Sequence, residues 1–537
     1  MFEAKEWASA AGIFLGPLWL LSLVLVPRAW ANRNALLMTK VAATTTWAVF
    51  GLAILAAIGV ALNGKTQFDF VSFGVWKIGV YFDILSAIIF LLVSFLGAIV
   101  TRFSRHYLKG DASQGHFLKW LCVTIGAVLT LIVSSNLVMF TVSWIATSLS
   151  LNQLLTFYAD RPAALVAARK KFVISRLGDL CLIGAVVLTF RIFGTWDFAA
   201  LFAAAEQMRA TPTSSTRSDV TTLCLLLALG AMLKSAQFPF HSWLPDTMET
   251  PTPVSALMHA GIINAGGFLI VRLSPIMSLS PLALHTLAIV GAVTAVFASL
   301  VMMTQASVKR MLAFSTIAQM GFMMLQCGLG AFSVAVLHIV AHSLYKAHAF
   351  LSSGSVVAIS KSSWTPTERP AAHPAVLVMA LVASVSLSFG AARVFGVSPL
   401  ADSGAMILGA VLVMALTHLL WSVWGQSLSL ELVGVGLLLA GAVSGAYFAL
   451  HVAFKSWLSP VLPQISPEIA SQGLNNFWLF GIIALFGAVF VLQSQLPAWS
   501  SRAWCRSLYV HARNGFYFNT LANRAIGAWW PARQNRI

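Results

Sequence analysis

The chain has 537 residues, of which 59% are hydrophobic and only 9% charged, and it carries a net charge of +17. A water-soluble domain carries roughly 25% charged residues, so this composition excludes one: there is too little polar surface to cover the apolar part. The basic excess, which in a soluble protein would point to nucleic acid, falls mostly between apolar runs and reads instead as a membrane-orientation signal.

A helix that crosses the hydrocarbon core needs about 20 apolar residues. Runs of that kind lie at 10–27, 41–62, 82–101, 117–134, 137–158, 172–193, 220–240, 254–274, 283–304, 309–328, 331–357, 375–397, 403–425, 432–454 and 474–495. They predict an all-α polytopic membrane protein with about fifteen transmembrane helices. The first run lacks the basic start and small-residue cleavage site of a secretory signal and reads as a retained span. Phe198 to Asp219 and Lys361 to Pro374 are polar enough to be loops. The tail from Ser500 onward, with Arg502, Arg506, Arg513, Arg524, Arg533 and Arg536, is basic and amphipathic and suits a membrane surface. The five cysteines, Cys122, Cys181, Cys224, Cys327 and Cys505, show no metal-ligand spacing and read as small apolar side chains.

A charge at the centre of a span costs about 2.5 to 3.5 kcal/mol on insertion scales. Ionisable residues inside these runs are therefore expected to face a protein interior or a water-filled cavity. Asp83, in VYFDILSAIIF, opens the third run, where a carboxylate suits a helix N-terminus. Arg176 and Asp179, in KKFVISRLGDLCL, lie one turn apart, spaced either for a structural ion pair or for a conducting role. Lys234, in LALGAMLKSAQFPFHSWLPD, follows more than three apolar turns and precedes Pro239 and Pro245. Proline breaks a helix, and a break at membrane depth is tolerated where it lines a cavity; a lysine snorkelling to an interface is the alternative. Asp246 and Glu249 follow, either as a proton inlet or as caps of the next helix. His259 sits about a turn and a half into the eighth run, close to the Lys234 break, as a relay group or a hydrogen-bonded core residue. His338, His342 and Lys346, in HIVAHSLYK, have the spacing i, i+4, i+8 and share one helix face. Imidazole both gives and takes protons near neutral pH, and a lysine kept from water loses its proton more easily, so such a face can act as a relay. A polar helix contact is the bland reading. Zinc is disfavoured, because no carboxylate lies between the histidines. No metal or cofactor is expected.

Basic residues cluster in alternate connections: Arg28, Arg33 and Lys40; Arg102, Arg105, Lys109 and Lys119; Arg161, Arg169, Lys170 and Lys171; Lys309 and Arg310; Lys361 and Arg369. The opposite side is sparser, with only Ser134, Ser135 and Asn136 between the fourth and fifth runs. The positive side is expected to be cytoplasmic, with the N-terminus outside.

These residues carry a resemblance. FDILSAIIFLLVSFLGAIVTRFSRHYLKGD, KKFVISRLGD, LKSAQFPFHSWLPDTMETPTPVSALMHAG, VKRMLAFSTIAQMGFMML and LHIVAHSLYKAHAFL, between residues 80 and 360, resemble the antiporter-like subunits shared by respiratory complex I (chain 5) and Mrp-type cation/proton antiporters. The resemblance implies two inverted five-helix repeats with broken helices: residues 1–110 as helices before the repeats, 111–250 as the first repeat, 251–400 as the second, and 401–537 as C-terminal helices and tail. It implies that Lys234 is the central lysine of the ion path and that His259, His338, His342 and Lys346 form the polar axis; Arg176, Asp179, Asp83, Asp246 and Glu249, read from their positions alone, are the candidate supporting residues, with pairing or capping as their alternative roles. The chain departs from the family at three places. Ile145 stands where the family carries a glutamate that pairs with the lysine, Ser307 where it carries an aspartate, and LSFGAARVFGV, with Arg393 after an SFG break, where its twelfth span breaks at Ser-Lys-Asp.

HAGIINAGGFLIVRLSP looks most like the membrane subunits of DAB inorganic-carbon accumulation complexes. That branch implies H+ or Na+ flowing inward, and a large zinc-containing, carbonic-anhydrase-like partner (DabA) on the cytoplasmic face of a bacterial inner membrane. A proton-translocating subunit of an NADH-quinone oxidoreductase or Mrp antiporter and a stand-alone transporter are the alternatives. The sequence shows no phosphate-binding loop, dinucleotide fingerprint, cysteine cluster or catalytic triad, so the chain is read as a transport subunit and catalysis is expected in a partner. With Ile145 in place of a carboxylate, Lys234 is expected to lack a close counter-charge and to pass ions down a gradient.

Overall fold

The computed structural model describes residues 2–158, 160–210, 217–355, 374–398, 403–425, 429–463 and 476–530. Its helices are α1 (Phe2–Ser22), α2 (Arg28–Arg33), α3 (Ala35–Asn63), α4 (Ile84–Tyr107), α5 (Gln114–Val133), α6 (Leu137–Leu155), α7 (Pro162–Phe193), α8 (Phe198–Ala210), α9 (Arg217–Lys234), α10 (Trp243–Asp246), α11 (Thr252–Ala260), α12 (Ala265–Arg272), α13 (Ser274–Met277), α14 (Pro281–Met302), α15 (Val308–Gly328), α16 (Phe332–Leu351), α17 (Pro374–Val394), α18 (Ser403–Trp424), α19 (Leu430–Leu458), α20 (Asn476–Trp499), α21 (Ala503–Arg513) and α22 (Phe518–Trp529). Among the described residues, 13 stretches are long and apolar enough to cross a membrane, α11 with α12 counting as one. The other two predicted runs hold α1, whose apolar stretch is shorter, and α9. The chain is an all-α, multi-span membrane protein.

The spans differ in what surrounds them. α5, α15 and the α11–α12 segment are almost wholly buried, whereas α3 and α17 to α20 bury only a minor share of their surface. A helix apolar all round is stable at the periphery only in lipid, so the peripheral spans mark the lipid-facing side. α14 and α15 meet backbone to backbone: a Cβ on Gly291 would lie 2.5 Å from the Leu325 nitrogen, and one on Gly321 2.5 Å from the Ala295 nitrogen. Small residues allow that approach where no hydrophobic effect drives helices together.

The one sheet among the described residues is a hairpin that the span reading left as a plain connection. β1 (Thr66–Phe73) pairs antiparallel with β2 (Trp76–Phe82), from Thr66 opposite Phe82 to Phe73 opposite Trp76, with an irregularity between Asp69 and Val71. Gly74, at φ +59°, makes the tight turn. The hairpin closes one end of the bundle. Val80 bridges to Ser134, Asn136 bridges to Asp197, and Asn136 Nδ2 donates to the Lys77 carbonyl at 2.9 Å. The segment expected as a loop from Phe198 is instead the helix α8, which Asp197 caps by accepting from the Ala200 nitrogen at 3.1 Å and which buries Phe198, Leu201 and Ala205. The second expected loop lies, up to residue 373, outside the described residues.

Two neighbouring spans are interrupted. α9 ends at Lys234; Ala236 takes φ +50°, the Phe238–Pro239 peptide is cis, and a single turn at Phe240–Ser242 leads into α10. The eighth span, expected as continuous, divides at Gly261 into α11 and α12 around a turn at Ile262–Asn264. The two interruptions touch, because the Ser235 hydroxyl donates to the Ile263 carbonyl at 2.7 Å. Gly266 permits the contact: a Cβ there would lie 2.5 Å from the Ala231 carbonyl oxygen. The expected SFG break in the twelfth span is absent. α17 runs unbroken through Ser388, Phe389 and Gly390 to Val394, with Arg393 exposed in its last turn. No proline interrupts the hydrogen bonds there, and nothing crowds Gly390.

Three of the charges counted as connecting-loop residues are also inside the protein. Lys119 belongs to α5 and donates to the Val26 carbonyl at 2.6 Å, while Lys170 and Lys171 are buried within α7, which begins at Pro162. A lysine's long stem lets its ammonium reach a partner inside the bundle from near a helix end. The tail departs from the surface reading as well, since the start of α22 packs beneath the α9 break rather than lying free on a membrane plane. Arg533 and Arg536 lie outside the described residues.

Candidate ion-conducting site

Lys234 sits in the last turn of α9, 7% exposed, where the helix stops and its last carbonyls lose their partners. Its ammonium donates to the Ser148 hydroxyl at 2.9 Å and to the Trp144 carbonyl at 3.4 Å, and it lies 4.3 Å from the centre of the Trp144 ring. Both partners are on α6, one turn apart, flanking the partly buried Ile145. The Ser148 carbonyl accepts from Lys171 Nζ at 3.0 Å, so a single residue joins two buried lysines.

Among the described residues Lys234 forms no direct ion pair, but a carboxylate acts on it from the sixth span. Asp179, on α7 and 4% exposed, acts electrostatically on Lys234, on Lys171 and on Arg176, to which it is paired at 2.6 Å. The sequence comparison looked for a carboxylate on the fifth span; the bundle supplies one from the sixth. The structure therefore brings Arg176, Asp179 and Lys234 into one cluster.

A second cluster lies across the α11–α16 interface. His259, fully buried at 0% exposure, stacks on Phe350 with ring centres 4.4 Å apart. His342 lies against the His259 backbone, and Lys346 acts electrostatically on both imidazoles. Lys346 donates to the Leu312 carbonyl at 3.2 Å, near the start of α15. His338 lies one turn before His342, with ring centres 5.9 Å apart, and its Nδ1 meets Gln326 Oε1 at 3.0 Å. His348 is exposed, off this face. Among the described residues, both ring nitrogens of His259 and Nε2 of His342 have no hydrogen-bond partner. A buried polar atom without one is ordinarily satisfied by water, and water can also hand a proton along. Asn264 Nδ2, in the α11–α12 interruption, donates to Ser343 Oγ at 2.8 Å and fixes α16 against it.

The remaining candidates fall elsewhere. Asp83 caps α4 by accepting from the Ser86 nitrogen at 2.8 Å, and it also takes a bidentate pair from Arg272, at the end of α12, at 2.6 and 3.0 Å. Asp246 pairs with Lys170 at 2.6 Å on the far side of the α9 break from the hairpin end. Glu249 makes only a half-exposed contact with Arg161 at 4.0 Å. Ser307 precedes α15 without a side-chain cap. Among the described residues no group of three or more His, Cys, Asp or Glu side chains is placed to hold a metal ion.

Sequence reasoning missed Ser148, Lys170, Lys171, Gln326 and Arg272. Arg272 had a signal, being a charge at the end of an apolar run. Ser148 had none, because serine is common in apolar helices and only the fold shows which one meets Lys234.

Comparison with known proteins bears on the family and the fold. Residues 134–367 match the family model of NADH:quinone oxidoreductase/Mrp antiporter membrane segments, and residues 71–118 match that of the N-terminus of complex I chain 5. The whole chain, at 20% identity over 98% of its length and 59% of the other's, superposes on a chain of the Mrp complex of Dietzia with a TM-score of 0.65, which is a likeness of fold. Within this antiporter-like class the chain belongs to the DabB family. It is 36% identical to the "Probable inorganic carbon transporter subunit DabB2" of Halothiobacillus neapolitanus over 92% of its own length and 89% of the relative's. It is 34% identical to the "Probable inorganic carbon transporter subunit DabB" of Hydrogenovibrio crunogenus over 98% and 96%. The "NADH-quinone oxidoreductase subunit L" of Mycobacterium tuberculosis is 38% identical over 55% of this chain and 44% of that one.

Proposed function

We propose that the chain is the cation-conducting membrane subunit of an inorganic-carbon pump, and that protons pass between Lys234 and the His259–His342–Lys346 cluster. The observation that carries this reading is the placement of Lys234 at a helix break, where an ammonium kept from water is held by one hydroxyl, one carbonyl and an aromatic face, with Asp179 in electrostatic range. An amine so held is not locked in one tight ion pair, so it can change partners as it takes up and releases a proton. His338 and Gln326 extend the axis toward the far end of α16.

In this proposal the basic side faces the cytoplasm of a bacterial inner membrane, with the N-terminus outside. Ions flow inward, and a large zinc-containing, carbonic-anhydrase-like partner on the cytoplasmic face uses their energy to hydrate CO2 in one direction. The support is that two relatives, matched over most of their length, are named probable inorganic carbon transporter subunits, together with isoleucine at position 145 and the lack of a direct ion pair at Lys234 among the described residues. The test is Lys234→Ala in a host that depends on the complex. Normal membrane levels with lost bicarbonate accumulation support the reading, and normal accumulation overturns it.

A further inference from the structure

The tail's last helix does more than follow the membrane surface. Phe518, the first residue of α22, packs its ring 4.8 Å from Phe238 and 5.9 Å from Phe297, directly against the broken segment after Lys234. Asn519 then enters the buried pair at the mouth of that break. Its Nδ2 donates to Asp246 Oδ1 at 2.9 Å, and its Oδ1 accepts from the Lys170 ammonium, which itself pairs with Asp246 Oδ2 at 2.6 Å. The three side chains close a ring in which Lys170 is 1% exposed. An amide is the group that fits: it offers a donor to the carboxylate and an acceptor to the ammonium while adding no charge. Lys170 is followed by Lys171, whose ammonium reaches Ser148, and Ser148 receives Lys234. The ring and the Lys234 cluster are thus held by consecutive residues of α7, on different sides of that helix.

The lead into α22 is held under tension. Phe516 at φ +48° and Tyr517 at φ +65° both occupy the left-handed region, which side chains of this size rarely adopt. Packing of Phe516 on Phe297 at 5.7 Å and of Tyr517 on His511 at 5.7 Å holds the turn, and Arg169 secures the far end of the helix through the Trp530 carbonyl at 3.3 Å.

We propose that α22 is a removable seal over the mouth of the ion path at Asp246, with Asn519 as its latch. While the amide completes the Lys170–Asp246 ring, water on that face is kept from the break that carries Lys234. When α22 lifts, Asp246 and Lys170 face water and the break after Lys234 opens to that face.

This inference rests on the proposal that Lys234 carries ions, and the experiment separates the two. The intact complex is reconstituted in liposomes, and decay of an imposed pH gradient is followed with a pH-sensitive dye for wild type, Asn519→Ala, Asn519→Gln and Asn519→Ala with Lys234→Ala. In parallel, Ser242→Cys is labelled with a membrane-impermeant maleimide in the wild-type and Asn519→Ala backgrounds. A seal predicts labelling several-fold faster in Asn519→Ala, a matching rise in gradient decay that Lys234→Ala abolishes, and partial restoration by the amide of Asn519→Gln. Faster labelling without Lys234-dependent decay upholds the seal and overturns the Lys234 reading. Unchanged labelling overturns the seal whatever the flux does.

Discussion

At the scale of single residues, the chemistry of the site depends on how a lysine amine is held away from water. Lys234 has a hydroxyl, a carbonyl and an indole face on α6, and a carboxylate in electrostatic range on α7. Lys234→Ala should leave insertion normal, because the apolar part of α9 is untouched, and should abolish transport measured as gradient-driven proton flux. Ser148→Ala should act more mildly. It removes one of two hydrogen bonds from a buried ammonium, a loss of about 1 to 3 kcal/mol, so flux should fall but not vanish; flux equal to wild type would show that Lys234 does not depend on that hydroxyl. For His338, His342 and Lys346, single alanine changes should each remove much of the flux and double changes little more, because members of one path are not additive. Independent, multiplying losses would mark them as ordinary packing groups. Lys234 and the three α16 residues were legible in the sequence because a charge in an apolar run has to be explained. Lys170 and Lys171 were not: a lysine near a span's end looks like a loop charge until the fold shows where its stem leads.

Between elements, the protein is tied by a few contacts of high cost. The Asp83–Arg272 pair joins the start of α4 to the end of α12, and each side chain is 2% exposed. Removing one partner leaves an uncompensated buried charge, at about 3 to 5 kcal/mol, while replacing both with neutral groups avoids that loss. Asp83→Asn and Arg272→Gln should therefore each lower the thermal stability of the detergent-solubilised protein, and the double change should recover part of it. A double change as unstable as the sum of the singles would show that the pair is not a unit. Gly266 sets how closely α12 approaches the broken end of α9. Gly266→Val should shift that backbone contact, destabilising by about 1 to 3 kcal/mol and reducing flux while the lysine itself stays in place. Stability and flux both matching wild type would remove the close approach as a requirement.

For the molecule as a whole, the question is the direction of energy flow. In intact cells that depend on the complex, a protonophore should collapse bicarbonate accumulation even when respiration and ATP are maintained. Accumulation that persists without an ion gradient would overturn the dissipative reading and point to a directly redox-driven or ATP-driven system. The counter-charge at Asp179 bears on this. Its carboxylate does not sit in a tight pair with Lys234, because Arg176 holds it at 2.6 Å.

The sequence by itself determined the class: a chain this apolar must lie in lipid, and runs of about 20 apolar residues there must be helices, because unpaired backbone groups are too costly in hydrocarbon. It also determined where ionisable groups enter the membrane and, through Pro239, that the seventh span is broken. Only the tertiary structure decided what those groups meet. Asp179 acting on Lys234, Arg272 on Asp83, the hairpin over one end and Asn519 on Asp246 all join residues far apart in the chain. The span pattern is a local property, readable within a few turns of helix. The partner of a buried charge depends on how several helices pack, which a single chain's periodicity does not carry.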